Sequence, residues 1–129
     1  MFDNLSYRVD GDTVTLLEQV TRPTLKSEAE HVAKGIEGVG RVVNKLEVLP
    51  LSPMDQRIRM AEYRAIYGDP VLQSYGLSAV ASTHIIVNQG RVTLEGVVAS
   101  ENDRNIANIR ANGVPGVFSV TNNLRVEKE

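Results

Sequence analysis

The sequence predicts an α+β protein made of two tandem copies of one small module. Each copy is a three-stranded mixed sheet with helices on one face. Three observations carry this reading. VTLLEQV at Val14–Val20 returns as VTLEGVV at Val92–Val98, and GIEGVGRVVNKLEV returns as GVPGVFSVTNNLRV. The offset that lines Val14 up with Val92 then holds without a gap from Val9/Val87 to Val48/Val126, with Ala29/Ala107, Gly38/Gly116, Asn44/Asn122 and Leu46/Leu124 identical along it. Within each copy the apolar period changes from two to between three and four, and back to two. That is the order strand, strand, helix, strand.

In the first copy, residues 1–50, Leu5, Tyr7 and Val9 alternate with Ser6 and Arg8 as a half-buried strand does. Asp10-Gly11-Asp12 supplies a tight turn, and Val14, Leu16 and Val20 complete a hairpin. Pro23 opens a helix at a position where its missing N–H costs nothing. Leu25, Ala29, Val32, Ala33 and Ile36 form one stripe along that helix, and Gly35 and Gly38 stop it. Val42, Leu46 and Val48 read as the third strand.

The second copy, residues 51–129, repeats the order from His84, with a turn at Gln89-Gly90. Ser100 caps its helix and Asp103 sits at the positive end of the helix dipole. Gly113 and Gly116 end that helix. Between the copies, Leu49-Pro50-Leu51-Ser52-Pro53 is a stiff break. An additional helix of about Met54–Tyr67 follows, capped by Ser52, with Met54, Ile58, Ala61 and Ala65 as its expected inner stripe. A short helical piece is also compatible with Val71–Val80. The second module is therefore αββαβ, and the first lacks the opening helix. Its sheet is expected to be partly uncovered unless upstream residues or a partner supply that cover.

Composition limits the function. Hydrophobic residues make up 42% of the 129 and charged residues 23%, as in ordinary globular domains. A net charge of −2 argues against generic nucleic-acid binding, which needs a basic face. The absence of cysteine excludes disulfides and thiol chemistry. No apolar run reaches the length of a membrane span and no signal peptide is recognisable in this chain. His31 and His84 lie in different modules without the spacing of metal ligands, and Ser100 has no matching histidine and acid. Gly35–Gly40 follows a helix instead of opening one, so it reads as helix termination and not as a phosphate loop. Neither catalytic residues nor a metal or cofactor site is expected.

The pattern G-x-V-x-L-x-G-x-V, a helix, then G-V-x-x-V-x-N-x-L-x-V falls here on Gly90, Val92, Leu94, Gly96 and Val98, then Gly116, Val117, Val120, Asn122, Leu124 and Val126. It resembles the BON domain of bacterial osmotic-stress and envelope proteins, across nearly all of residues 5–48 and 53–127. The resemblance implies an αββαβ fold, a location in the periplasm or cell envelope, and a transport-associated, non-catalytic role. That role would be attachment to phospholipid surfaces or contact with envelope proteins. It transfers no catalytic residue. One position departs from the pattern: Glu18 stands where the twin has Gly96. Either a local twist turns Glu18 to water, or it lies at an opening left by the absent helix.

Candidate functional positions are therefore surfaces. Arg57, Arg59, Met60, Tyr63, Arg64 and Tyr67 fall outside the inner stripe of the Met54–Tyr67 helix, a mixture suited to membrane and protein contacts alike. The same tyrosines would equally serve to pack against the other module. Leu17, Val43 and Val97 point to the sheet face opposite the helices, a second place for pairing. The competing reading is a structural or oligomerisation protein without lipid binding, with the modules acting as homo-oligomer contacts. Asn44 and Asn122 are expected to bond a neighbouring strand or helix end. Gly35, Gly38, Gly90, Gly96, Gly113 and Gly116 are read as structural.

Overall fold

A computed structural model describes residues 1–49, 52–77 and 82–127. The chain divides into two compact units, Asp3–Pro50, and Leu51–Glu129 together with Met1–Phe2.

In the first unit, β1 (Asn4–Asp10) and β2 (Thr13–Val20) form an antiparallel hairpin, with Leu5 opposite Glu18 and Val9 opposite Val14. Helix α1 (Pro23–Lys34) crosses over and returns the chain parallel to β2. The third strand is not continuous: β3 (Arg41–Asn44) pairs with Thr13–Leu16 and β4 (Glu47–Val48) with Gln19–Val20. Val14, Leu16, Val20, Ala33 and Leu46 are the buried core.

The second unit opens with α2 (Pro53–Tyr67) and a 3-10 turn at Gln73–Gly76. It continues with β5 (Thr83–Asn88), β6 (Arg91–Val98), α3 (Glu101–Asn112), β7 (Ser119–Asn122) and β8 (Arg125–Val126). The offset read from the sequence carries β2 onto β6, α1 onto α3, and β3 and β4 onto β7 and β8, residue for residue. Its core is larger, adding Ile58, Ile66, Tyr67 and Leu72 to the strand and α3 residues. Met1 and Phe2 pack against it, and the Ile85 N–H donates to the Met1 carbonyl at 3.0 Å.

The asparagines explain the divided third strand. Asn44 Nδ2 donates to the Lys26 carbonyl of α1 at 2.9 Å, and its Oδ1 accepts from Leu46 N. Asn122 makes the same pair of bonds, to the Arg104 carbonyl of α3 and from Leu124 N. Each side-chain oxygen thus takes a strand N–H at the break in the ladder, and each side-chain N–H ties the break to the helix. The expected caps are present, with Ser52 Oγ accepting from Asp55 N and Ser100 Oγ from Asp103 N. Gly35 and Gly113 keep ordinary right-handed φ, however, at −82° and −79°. The left-handed residues after each helix are Gly38 and Gly116.

Helix α2 is keyed to the sheet by a buried carboxylate. Asp55 accepts from Gln89 N at 2.8 Å and Gly90 N at 2.9 Å, holding the β5–β6 turn. Arg59 Nη2 donates to the Val87 carbonyl at 2.9 Å. Replacing Asp55 by Ala strands two turn N–H groups and removes charge-assisted bonds, so Asp55→Ala is expected to cost about 2–4 kcal/mol in chemical denaturation. Asp55→Asn, which keeps one acceptor oxygen, is expected to cost less.

Candidate binding surfaces

The inward face of α2 is not the one its apolar residues suggest. Asp55, Ile58, Arg59, Glu62, Ile66 and Tyr67 are buried, whereas Met54 is exposed and Ala61 and Ala65 are only half-buried. Arg59 and Tyr67, expected on the surface, are corrected to the interior. Arg59 reaches in to the β5 backbone, and the Tyr67 hydroxyl shares a 2.5 Å hydrogen bond with Thr83 Oγ1. Ile66 likewise belongs to the core. The other expected positions, Arg57, Met60, Tyr63 and Arg64, are exposed. Tyr63 lies to one side, its ring 5.3 Å from that of Tyr67 and 6.5 Å from that of Phe2. The outermost stripe is thus Arg57, Met60 and Arg64, spaced by three and four residues on the side opposite Glu62, while Met54 is exposed at the flank beside Gly116.

Glu62 is the residue that sequence reasoning passed over. It is 0% exposed, and neither carboxyl oxygen has a hydrogen-bond partner among the described residues. Burial pushes its pKa up to about 8 from an ordinary 4.5. Its signal was the spacing Asp55, Arg59, Glu62, a polar stripe in phase with Ile58 and Ile66.

The second surface lies in the first unit. Between β1 and α1 is an open groove of about 750 Å3. Its apolar wall includes Tyr7, Val9, Val14, Leu25, Val32 and Ile36. Tyr7 is 70% exposed and Val9 56%, while their twins Ile85 and Val87 are 1% and 0% exposed in the unit that has α2. The exposure of Ile36, expected in the buried stripe of α1, has the same cause, since its twin Val114 is buried; Val32 is exposed as its twin Arg110 is. All charged residues lining the groove are acidic: Asp3, Asp12, Glu28 and Glu37. Glu18 is exposed, has φ of +80° and does not line the groove, so the backbone twist accounts for it. Leu17, Val43 and Val97 are half-buried and form no open apolar face. His31 is exposed and His84 half-buried, in different units. Among the described residues no group of three His, Asp or Glu side chains is placed to hold a metal ion.

The BON domain model matches the chain twice, over residues 3–50 and 71–128. The chain belongs to the BON domain family. The second match begins after α2, so the groove-filling helix lies outside the span shared by both matches. Among characterised BON-like relatives, the chain is 31% identical over 132 residues to osmotically-inducible protein Y of Escherichia coli (strain K12). The alignment covers 96% of this chain and 62% of that protein. The chain also aligns with two structures of CdsD, a structural protein of the type III secretion system of Chlamydia trachomatis. Identities are 12% and 13%, coverage is 98% and 97% of this chain and 90% and 86% of those, and TM-scores are 0.35 and 0.33.

Proposed function

We propose that this chain is a non-catalytic binding protein of the bacterial cell envelope, which attaches to phospholipid surfaces through the outer face of α2. The observation that carries the reading is the stripe Arg57, Met60 and Arg64, exposed along one side of α2 with Tyr63 at its flank. Arginine heads attract anionic headgroups while the methionine side chain enters the headgroup–acyl boundary. The family and the osmotically-inducible relative support an osmotic-stress setting in the envelope. No helix among the described residues is long and apolar enough to cross a membrane, so attachment through α2 is peripheral.

Co-sedimentation with phosphatidylglycerol–phosphatidylethanolamine vesicles at low salt tests this. The wild type is expected to pellet with the vesicles and to be released as salt rises. Each arginine contributes about 1 kcal/mol near an anionic surface. Arg57→Glu/Arg64→Glu is therefore expected to weaken binding roughly thirtyfold or more. Unchanged binding by that variant removes α2 as the attachment face.

A further inference from the structure

The two copies are alike in backbone, but only one has its helix-side face covered. In the second unit α2 lies over β5 and α3 and packs with Ile85 and Val87, and Val114 is buried there as well. The corresponding Tyr7, Val9 and Ile36 remain apolar although they face the open groove. Apolar walls of this extent mark a place where another molecule sits.

The divergence between the copies indicates the charge of that molecule. Asp12, Glu28 and Glu37 rim the groove, and the matching positions in the second copy are Gly90, Ile106 and Pro115. The acids are thus particular to the uncovered copy. They repel lipid phosphates and acidic helices and favour a basic, apolar one. The chain presents such a face itself: the α2 stripe sets Met60 between Arg57 and Arg64, and points away from the α2 core residues Ile58 and Ile66.

We propose that the groove of the Asp3–Pro50 unit receives the outer face of α2 from a second copy of this chain, joining copies head to tail. Arg57 and Arg64 then meet the acids of the rim, and Met60 lies against the wall formed by Tyr7, Val9, Val32 and Ile36. The two patches differ, so the contact is heterologous and a pair of copies keeps one free groove and one free helix face between them. One helix face buries less than a standard interface, so the association is weak and salt-sensitive. This goes beyond the membrane reading but uses the same arginines, so vesicles and a second copy compete for them.

Sedimentation velocity of the full chain without lipid tests the proposal. The weight-average sedimentation coefficient is expected to rise with protein concentration at low salt and to fall back as salt is added. Glu28→Arg/Glu37→Arg and, separately, Arg57→Glu/Arg64→Glu are expected to sediment as monomers. All four positions are exposed or half-buried on the wild-type surface, and circular dichroism checks that each variant is folded. An equimolar mixture of the two variants is expected to associate again, because the basic helix of one meets the acidic groove of the other. A wild type that stays monomeric at millimolar concentration overturns the proposal and gives the groove to a helix from another protein. A mixture that fails to associate overturns it too. The groove variant keeps its α2 face, so it is expected to retain vesicle binding, which separates failure here from failure of the membrane reading.

Discussion

Raising the pH from about 5 to about 9 is expected to destabilise the α2-containing unit by several kcal/mol, and Glu62→Met is expected to abolish most of that loss. The folded-state pKa of Glu62, about 8, lies above its ordinary 4.5. Between those values the folded protein keeps a proton that the unfolded chain has released. Stability is therefore greatest below the unfolded value and declines as pH rises through the folded one, by a total on the order of 3–5 kcal/mol. Methionine has similar length and no charge to desolvate, so Glu62→Met should match the wild type near the acidic end and exceed it at the alkaline end. Glu62→Gln should also flatten the profile, but at lower stability, because its buried amide lacks partners. Denaturant melts across this pH range, with amide exchange in β5 and α2 to localise the effect, provide the measurement. A Met variant that loses stability as steeply as the wild type would show that another group is responsible.

Gly96→Ala is expected to cost roughly 3–5 kcal/mol, by strain and overpacking together. Gly96 has φ of +119°, a conformation that side chains resist. A Cβ there would also run into the Ser82 carbonyl oxygen and come within 2.9 Å of Thr83 Cα, both backbone atoms that cannot step aside. The matching position in β2 carries Glu18 at φ of +80°. There Glu18→Gly relieves the left-handed strain and is expected to stabilise the first unit by about 1 kcal/mol. Opposite signs at two equivalent positions are the result to look for. A cost for Glu18→Gly as well would mean that the left-handed φ there holds no strain for glycine to relieve.

The architecture was legible because the strands alternate cleanly and the repeat runs without a gap. The position of each strand and helix in one copy could be checked against the other. The face of α2 was not legible, for a physical reason. Its inward phase carries Asp55, Arg59 and Glu62 among Ile58 and Ile66, so apolar spacing pointed instead to Met54, Ala61 and Ala65. The partners that make the buried polar residues tolerable, the β5–β6 turn for Asp55 and the Val87 carbonyl for Arg59, are distant in sequence. The groove could be inferred from the sequence as a missing cover. Its acidic rim could not, because Asp3, Asp12, Glu28 and Glu37 are scattered through the chain and only the fold gathers them. The division of the third strand was equally hidden, although the two asparagines that permit it stood out in both copies.

The difference between Glu18 and Gly96 also bears on how two halves with the same backbone avoid exchanging strands while they fold. Tandem repeats are prone to misassembly in which a strand from one copy takes its counterpart's place. Here the exchange is blocked in one direction. With β2 substituted for β6, the Cβ of Glu18 would meet the Ser82 carbonyl and the Thr83 backbone, where only glycine fits. The reverse substitution meets no such obstacle, since glycine adopts the φ of Glu18 freely. A single side chain thus acts as a one-way filter on strand pairing, and misfolded species of this protein should be biased toward β6 pairing with β1.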